Sequence, residues 1–334
     1  MRVRAALQAA WLRRGPLAWL LLPLTVIYAL LSGARRSLYR QGWLRAESLP
    51  IPVVVIGNVI AGGAGKTPVV MAIARHLLDR GIPCGVVSRG HGRRGDDCLE
   101  VLPGSDPAQV GDEPLLIASQ VGVPVVVAQR RPAAVHALLA RHPEVRVVLS
   151  DDGLQHHALA RDVEIVVFDD RGVGNGWLLP SGPLREPWPR PADLVIRTEC
   201  TPDIGGFVIK RHLATEAARG DGARLTLRTL AGQRCAAVAG IARPEAFFEM
   251  LRREGIALAA TIALPDHHDY SAPLPPMPAG LPLLCTEKDA AKLWKSHPEA
   301  WAVPLSVEIE AGFFESLDAL LTAKLSSPHG SQAA

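Results

Sequence analysis

The chain has 334 residues, 48% apolar and 21% charged, a globular composition long enough for one large domain or two ordinary ones. A net charge of +3, with no dense Lys/Arg stripe interleaved with aromatics, excludes a nucleic-acid binder. Five scattered cysteines, Cys84, Cys98, Cys200, Cys235 and Cys285, contain no CxxC pair; they exclude a disulfide framework or zinc ribbon and fit reduced thiols in the cytoplasm.

Residues 15–34 form a run of 20 without a charge, flanked by Arg2, Arg4, Arg13 and Arg14 before and Arg35, Arg36, Arg40 and Arg45 after. As a helix this run is roughly 30 Å long, the thickness of a hydrocarbon core. Trp19 and Tyr28 suit a membrane interface, and Pro23 interrupts the helix. The expectation is a membrane-associated segment over residues 1–40, spanning the bilayer or lying in one leaflet.

Residues 51–56 are short, continuous, apolar and β-branched, as in a buried strand of a parallel sheet. A Gly-rich turn follows, then helical periodicity from Pro68 to Leu78. Further strands are expected at 84–87, 123–128, 145–149, 164–168 and 194–196, with helices at 112–120 and 132–140 between them. Alternation of this kind predicts an α/β fold with a mainly parallel sheet covered by helices on both faces. Residues 179–191 are Pro-rich and read as a loop, and 205–232 as an irregular polar stretch. Strands at 235–239, 257–263, 281–285 and 303–307 and helices at 244–253 and 288–294 then predict a second, smaller α/β lobe. The expected division is a kinase-like domain over 41–230, the smaller lobe over 231–325 and a disordered tail over 326–334.

The window Ile60, Ala61, Gly62, Gly63, Ala64, Gly65, Lys66, Thr67 lies between the first strand and its helix, the context of a P-loop, although Ile60 stands where the pattern usually has its first glycine. Glycines let backbone N–H groups curl around phosphate oxygens, and the helix N-terminus adds partial positive charge. Lys66 is expected on the β- and γ-phosphates and the Thr67 hydroxyl on Mg²⁺. Asp151 and Asp152 end a later, largely apolar strand and suit the second, acidic partner of that ion. Thr286, Glu287, Lys288 and Asp289 have the wrong order for a guanine reader, so the expected nucleotide is ATP.

With these pieces in order, the chain resembles the tetraacyldisaccharide 4′-kinase family. The stretches that carry the resemblance are Gly57 and Asn58 with the P-loop through Pro68; Ser88, Arg89 and Gly90; Gly111, Asp112, Glu113 and Pro114; Asp151 through His156; residues 176–187; Pro265, Asp266 and His267; and Thr286 through Lys292. His91 stands where the family usually has tyrosine. The resemblance implies ATP, Mg²⁺ and a lipid disaccharide 1-phosphate in the membrane, phosphorylated at its 4′-hydroxyl on the cytoplasmic face of the inner membrane, with no obligate protein partner. It further implies Asp112 as catalytic base oriented by His267, Glu113 beside Asp151, Asp152 and Thr67 at the metal, Arg185 on phosphate charge and His156 in the same pocket. The alternative from the motifs alone is a membrane-associated ATPase switch of the ParA/MinD type.

Overall fold

The computed structural model describes residues 7, 9–201 and 203–326, so the expected tail lies, except for Ser326, outside the described residues. The apolar N-terminal run is two helices, α1 (Pro16–Leu20) and α2 (Leu22–Arg40), each with a proline in its first two positions. Proline is well placed there and badly placed inside a helix, so Pro23 restarts the chain and no continuous span forms. Among the described residues no helix is long and apolar enough to cross a membrane. Instead α2 lies against the body by one polar stripe. Thr25 Oγ1 donates to Ser181 Oγ (2.8 Å) and Tyr28 Oη to the Arg185 carbonyl (2.8 Å). On the outer side Leu30 and Leu31 of α2 are each 68% exposed, and Leu20 at the end of α1 is 75% exposed.

The large sheet begins with β1 (Val53–Gly57), which leads through the Gly-rich turn to α3 (Lys66–Asp79). β2 (Cys84–Ser88), the short β3 (Leu99–Glu100), α4 (Pro107–Val110), α5 (Asp112–Val121), β4 (Val125–Val127), α6 (Arg131–Arg141) and β5 (Val147–Asp151) follow. Then come β6 (Val163–Val167), β7 (Leu194–Arg197) and β8 (Phe207–Leu213). With β15 (Leu305–Ile309) they form nine strands in the order β15-β8-β7-β6-β1-β5-β2-β4-β3, parallel except at the two edges, where β15 and β3 run antiparallel. Side chains alternate across a strand, and β1 shows the consequence: Val54 and Ile56 pack toward α3, while Val53 and Val55 pack toward α6. Each such fully buried aliphatic side chain contributes about 1.5–3 kcal/mol, which is why this strand is apolar without alternation.

The smaller sheet has the order β10-β9-β14-β13-β11-β12, made of β9 (Glu216–Ala218), β10 (Arg224–Thr226), β11 (Arg234–Ala239), β12 (Ala257–Ala263), β13 (Leu283–Thr286) and β14 (Trp301–Val303). Helix α7 (Pro244–Arg253) covers one face through Phe247, Phe248 and Leu251, and α8 (Glu287–Leu293) covers the other through Ala290 and Leu293. Two sequence expectations change here. The stretch 205–232 is not irregular: it contains β8, β9 and β10, whose alternating exposure weakened the apolar signal. The single strand expected over 303–307 is two, broken at Pro304: β14 belongs to the small sheet, whereas β15 and α9 (Ala311–Ser326) return to the large one.

Candidate active site

The P-loop leaves β1 and enters α3 at Gly65, which sits in the left-handed region with φ 73°. A Cβ there would lie 2.6 Å from Arg211 Nη2, so both backbone and space call for glycine. Four consecutive carbonyls of the loop are taken by side chains outside it. Arg171 donates to Ala61 (3.1 Å) and Gly63 (3.1 Å), Asn58 Nδ2 to Gly62 (3.1 Å) and Arg211 Nη2 to Ala64 (2.8 Å). Drawing the carbonyls outward leaves the loop's amides to face an anion. Asp169 fixes Arg171 in turn, accepting from Nε at 3.0 Å. Arg171, in the turn after β6, and Arg211, on β8, lie in neither the P-loop nor the stretches that carry the resemblance, and they reach the loop across 110 and 147 residues.

The first two residues of the eight-residue window behave differently. The Ile60 side chain is fully buried, and Ala61 N–H donates to the Pro183 carbonyl (2.7 Å), tying the loop to the Pro-rich segment. The expected phosphate cradle therefore narrows to Gly62, Gly63, Ala64, Gly65, Lys66 and Thr67. Lys66 Nζ donates to Asn58 Oδ1 (3.2 Å) and pairs with Asp152 Oδ1 (3.4 Å); Thr67 is buried beside it.

At the end of β5, Asp151 is buried, and its Oδ1 has no hydrogen-bond partner. Burial, together with the charges of Glu113 and Asp152, pushes its carboxyl above the ordinary range. Asp152 is held below that range: burial raises it, but Lys66, Arg185 and Arg131 outweigh burial. Arg185 Nη1 donates to Asp152 Oδ1 (3.3 Å) and Gln155 Oε1 (3.2 Å). His156 is close by, but its Nε2 accepts the Arg131 N–H (3.3 Å), and burial followed by Arg131 pushes its pKa down to about 4. It braces the β5 turn as a neutral imidazole, beside the carboxylates of the expected pocket.

Asp112 opens α5 directly after Gly111, whose φ is 92° and whose Cβ would stand 3.0 Å from the Gly90 Cα. That close approach brings the stretches around Ser88 and Gly111 together at the ends of β2 and α5. From the smaller lobe, His267 Nδ1 lies 3.0 Å from Asp112 Oδ2, and Lys292 Nζ donates to the same oxygen at 2.8 Å. Burial raises the Asp112 carboxyl, but the His267 and Lys292 hydrogen bonds bring it below the ordinary range. Lys288 reaches Glu113 (3.2 Å) and Asp266 (3.3 Å). His91 packs edge-on against the His267 ring, centroids 5.3 Å apart. The expected Asp112–His267 pair thus forms across the two lobes, and Lys288 and Lys292, from the Thr286–Lys292 stretch, join it through contacts that no spacing predicts.

A cleft of about 710 Å³ opens between the lobes from Gly63, Gly65 and Thr67, past the strand ends at Asp169 and Thr198, to an apolar wall including Phe247. The carboxyl ends of parallel strands are where open α/β sheets hold ligands.

The family described as tetraacyldisaccharide-1-P 4′-kinase, LpxK, matches residues 17–322. The chain belongs to the tetraacyldisaccharide 4′-kinase family. The tetraacyldisaccharide 4′-kinases of Acidovorax ebreus and Delftia acidovorans are 55% and 54% identical to it; the alignments cover 97% and 95% of this chain and 96% and 95% of theirs. The crystal structure of LpxK from Aquifex aeolicus in complex with ATP superposes with a TM-score of 0.79 at 30% identity, covering 92% of this chain and 99% of that one. Family membership makes the chain a kinase and leaves the ParA/MinD-type switch without support.

Proposed function

We propose that this lipid A 4′-kinase moves the γ-phosphate of ATP to the 4′-hydroxyl of a tetraacyl disaccharide 1-phosphate, with Asp112 accepting the hydroxyl proton. The work is done at the cytoplasmic face of the inner membrane. The observation that carries this reading is the meeting of a P-loop lysine, a pair of strand-end carboxylates and a cross-lobe Asp–His pair around one cleft.

The P-loop amides and Lys66 bind and align the phosphates, and the cleft beyond Thr67 takes the nucleoside. Mg²⁺ fits the residues present. The orphaned, buried Asp151 Oδ1 faces Glu113 and Asp152, an excess of negative charge that a cation relieves. Mg²⁺ commonly takes much of its shell from substrate phosphate and water, with one or two carboxylates from the protein. Thr67, Asp151, Asp152 and Glu113 would hold it, and it would supply positive charge to the transferred group. Arg185 lies against Asp152 and adds a second positive charge there. Asp112 is kept anionic by its neighbours and so is ready to receive a proton as the sugar oxygen attacks. Closure of the smaller lobe excludes water and suppresses hydrolysis of ATP.

The exposed apolar face of α1 and α2 supports the membrane assignment. An acylated acceptor stays in the bilayer, and α2 contacts the Arg185 segment directly, so the docking face is one layer from the phosphates. Transfer of label from γ-labelled ATP to the lipid, by wild type and by Lys66→Ala, tests the reading. Wild type should label the lipid and the variant should fall by orders of magnitude while remaining folded. Labelling by Lys66→Ala within a few-fold of wild type would remove the P-loop from the chemistry.

A further inference from the structure

The carboxylate of Asp112 is not symmetrically engaged. Both donors, His267 Nδ1 at 3.0 Å and Lys292 Nζ at 2.8 Å, converge on Oδ2, and among the described residues no hydrogen bond reaches Oδ1. A carboxylate oxygen offers two lone-pair positions, so Oδ2 is filled and Oδ1 is the atom left to accept a new proton. Lys292 itself is largely but not fully buried, with a side-chain exposure of 11%, and its ammonium lies 5.9 Å from the Tyr270 ring.

Both donors are set by one helix. Thr286 caps α8 by accepting the Asp289 N–H (3.2 Å), and the fully buried Asp289 accepts the Gly240 N–H (2.9 Å). The Gly240 carbonyl accepts the His267 N–H (3.1 Å), holding that residue at φ 61°. A non-glycine residue adopts such a conformation only when its surroundings impose it. Lys292, one turn further along α8 than Lys288, reaches Asp112 directly.

We infer that Lys292 is a positioning residue of the transfer reaction: it saturates Asp112 Oδ2 together with His267, so that Oδ1 faces the acceptor hydroxyl. The inference rests on the assignment of Asp112 as base. As the sugar oxygen bonds to phosphorus and the bond to the ADP oxygen breaks, the hydroxyl proton passes to Oδ1. Lys292 transfers nothing; it fixes the carboxylate plane.

The test is a cycle of Asp112→Asn and Lys292→Met, with Lys292→Arg beside it, measured as kcat and KM with ATP and lipid both varied. Lys292→Met should lower kcat by about 10²-fold, the range for loss of acid–base help, and move each KM by less than about threefold. Lys292→Arg, which keeps the charge and the reach, should recover kcat to within about tenfold of wild type. In the Asp112→Asn background, Lys292→Met should change kcat by less than about threefold, because residues acting through one another are non-additive. The same loss in both backgrounds, a rise in KM for ATP with kcat intact, or an Arg variant no better than Met overturns the inference. Wild-type kcat for Lys292→Met beside an inactive Asp112→Asn defeats the inference alone. Wild-type kcat for Asp112→Asn removes the base assignment and the inference with it.

Discussion

Gly65→Ala separates the P-loop's shape from its charges. Gly65 has φ 73° and ψ 38°, a conformation that costs an L-residue roughly 1–2 kcal/mol. The new Cβ would also stand 2.6 Å from Arg211 Nη2, the atom that holds the Ala64 carbonyl at 2.8 Å. The chain has two responses. If the loop keeps its shape, the strain appears as lost stability. If the loop relaxes, the amides turn away and ATP binding weakens by about 5–30-fold, since 1.4 kcal/mol is tenfold. Calorimetric titration with ATP and a urea unfolding curve without ligand measure the two parts, which together should amount to at least about 1 kcal/mol. Gly81→Ala is the control: its φ is 69°, nothing lies within 4 Å of its Cβ, and it is remote from the loop. It should lower stability similarly and leave ATP affinity unchanged. Wild-type affinity together with wild-type stability for Gly65→Ala would refute the account of the loop.

Asp112→Ala and His267→Ala should each lower kcat by about 10²-fold with little change in ATP affinity, and the double variant should lose far less than the product; multiplicative losses in steady-state kinetics would separate the two residues. Leu24→Ser, Ile27→Ser and Leu31→Ser together remove half-exposed or more exposed apolar groups from the outer face of α2. Vesicle co-sedimentation should fall by at least about 10²-fold with the unfolding midpoint unchanged, and undiminished sedimentation would place the docking surface elsewhere. His157 is pushed down to about 4 by burial, then by Arg161, so between about pH 6.5 and 4 only the unfolded chain takes up its proton. Stability should therefore fall as pH drops through that window, and His157→Asn should flatten the fall in thermal midpoint; an unchanged slope would contradict the assigned environment.

The sheet and the phosphate cradle were legible because their signals are local. Residues 53–57 are apolar on both faces, and Gly65 with Lys66 marks the turn that any phosphate site of this kind needs. The Asp112–His267 pair came through the family's motifs, since nothing in a spacing of 155 residues predicts a contact. What remained hidden was long-range or polar. Arg211 lies on β8, whose alternation of exposed and buried positions looked irregular, yet it grips Ala64 across 147 residues. Lys292 closes a stretch that carries the family resemblance, but its contact with Asp112 spans 180 residues and no local spacing points to it. The N-terminal run matched a membrane span in length, but Pro23 and the inward stripe of Thr25 and Tyr28 turned it into a docked helix.

The most direct measurement compares ATP consumption with phosphate transfer, with and without a tetraacyl disaccharide 1-phosphate in mixed micelles. ATP turnover should be slow alone and strongly stimulated by the lipid, with one phosphate on the 4′-oxygen for each ATP consumed. ATP turnover that is indifferent to the lipid, with no phosphate appearing on the sugar, would contradict the proposed function.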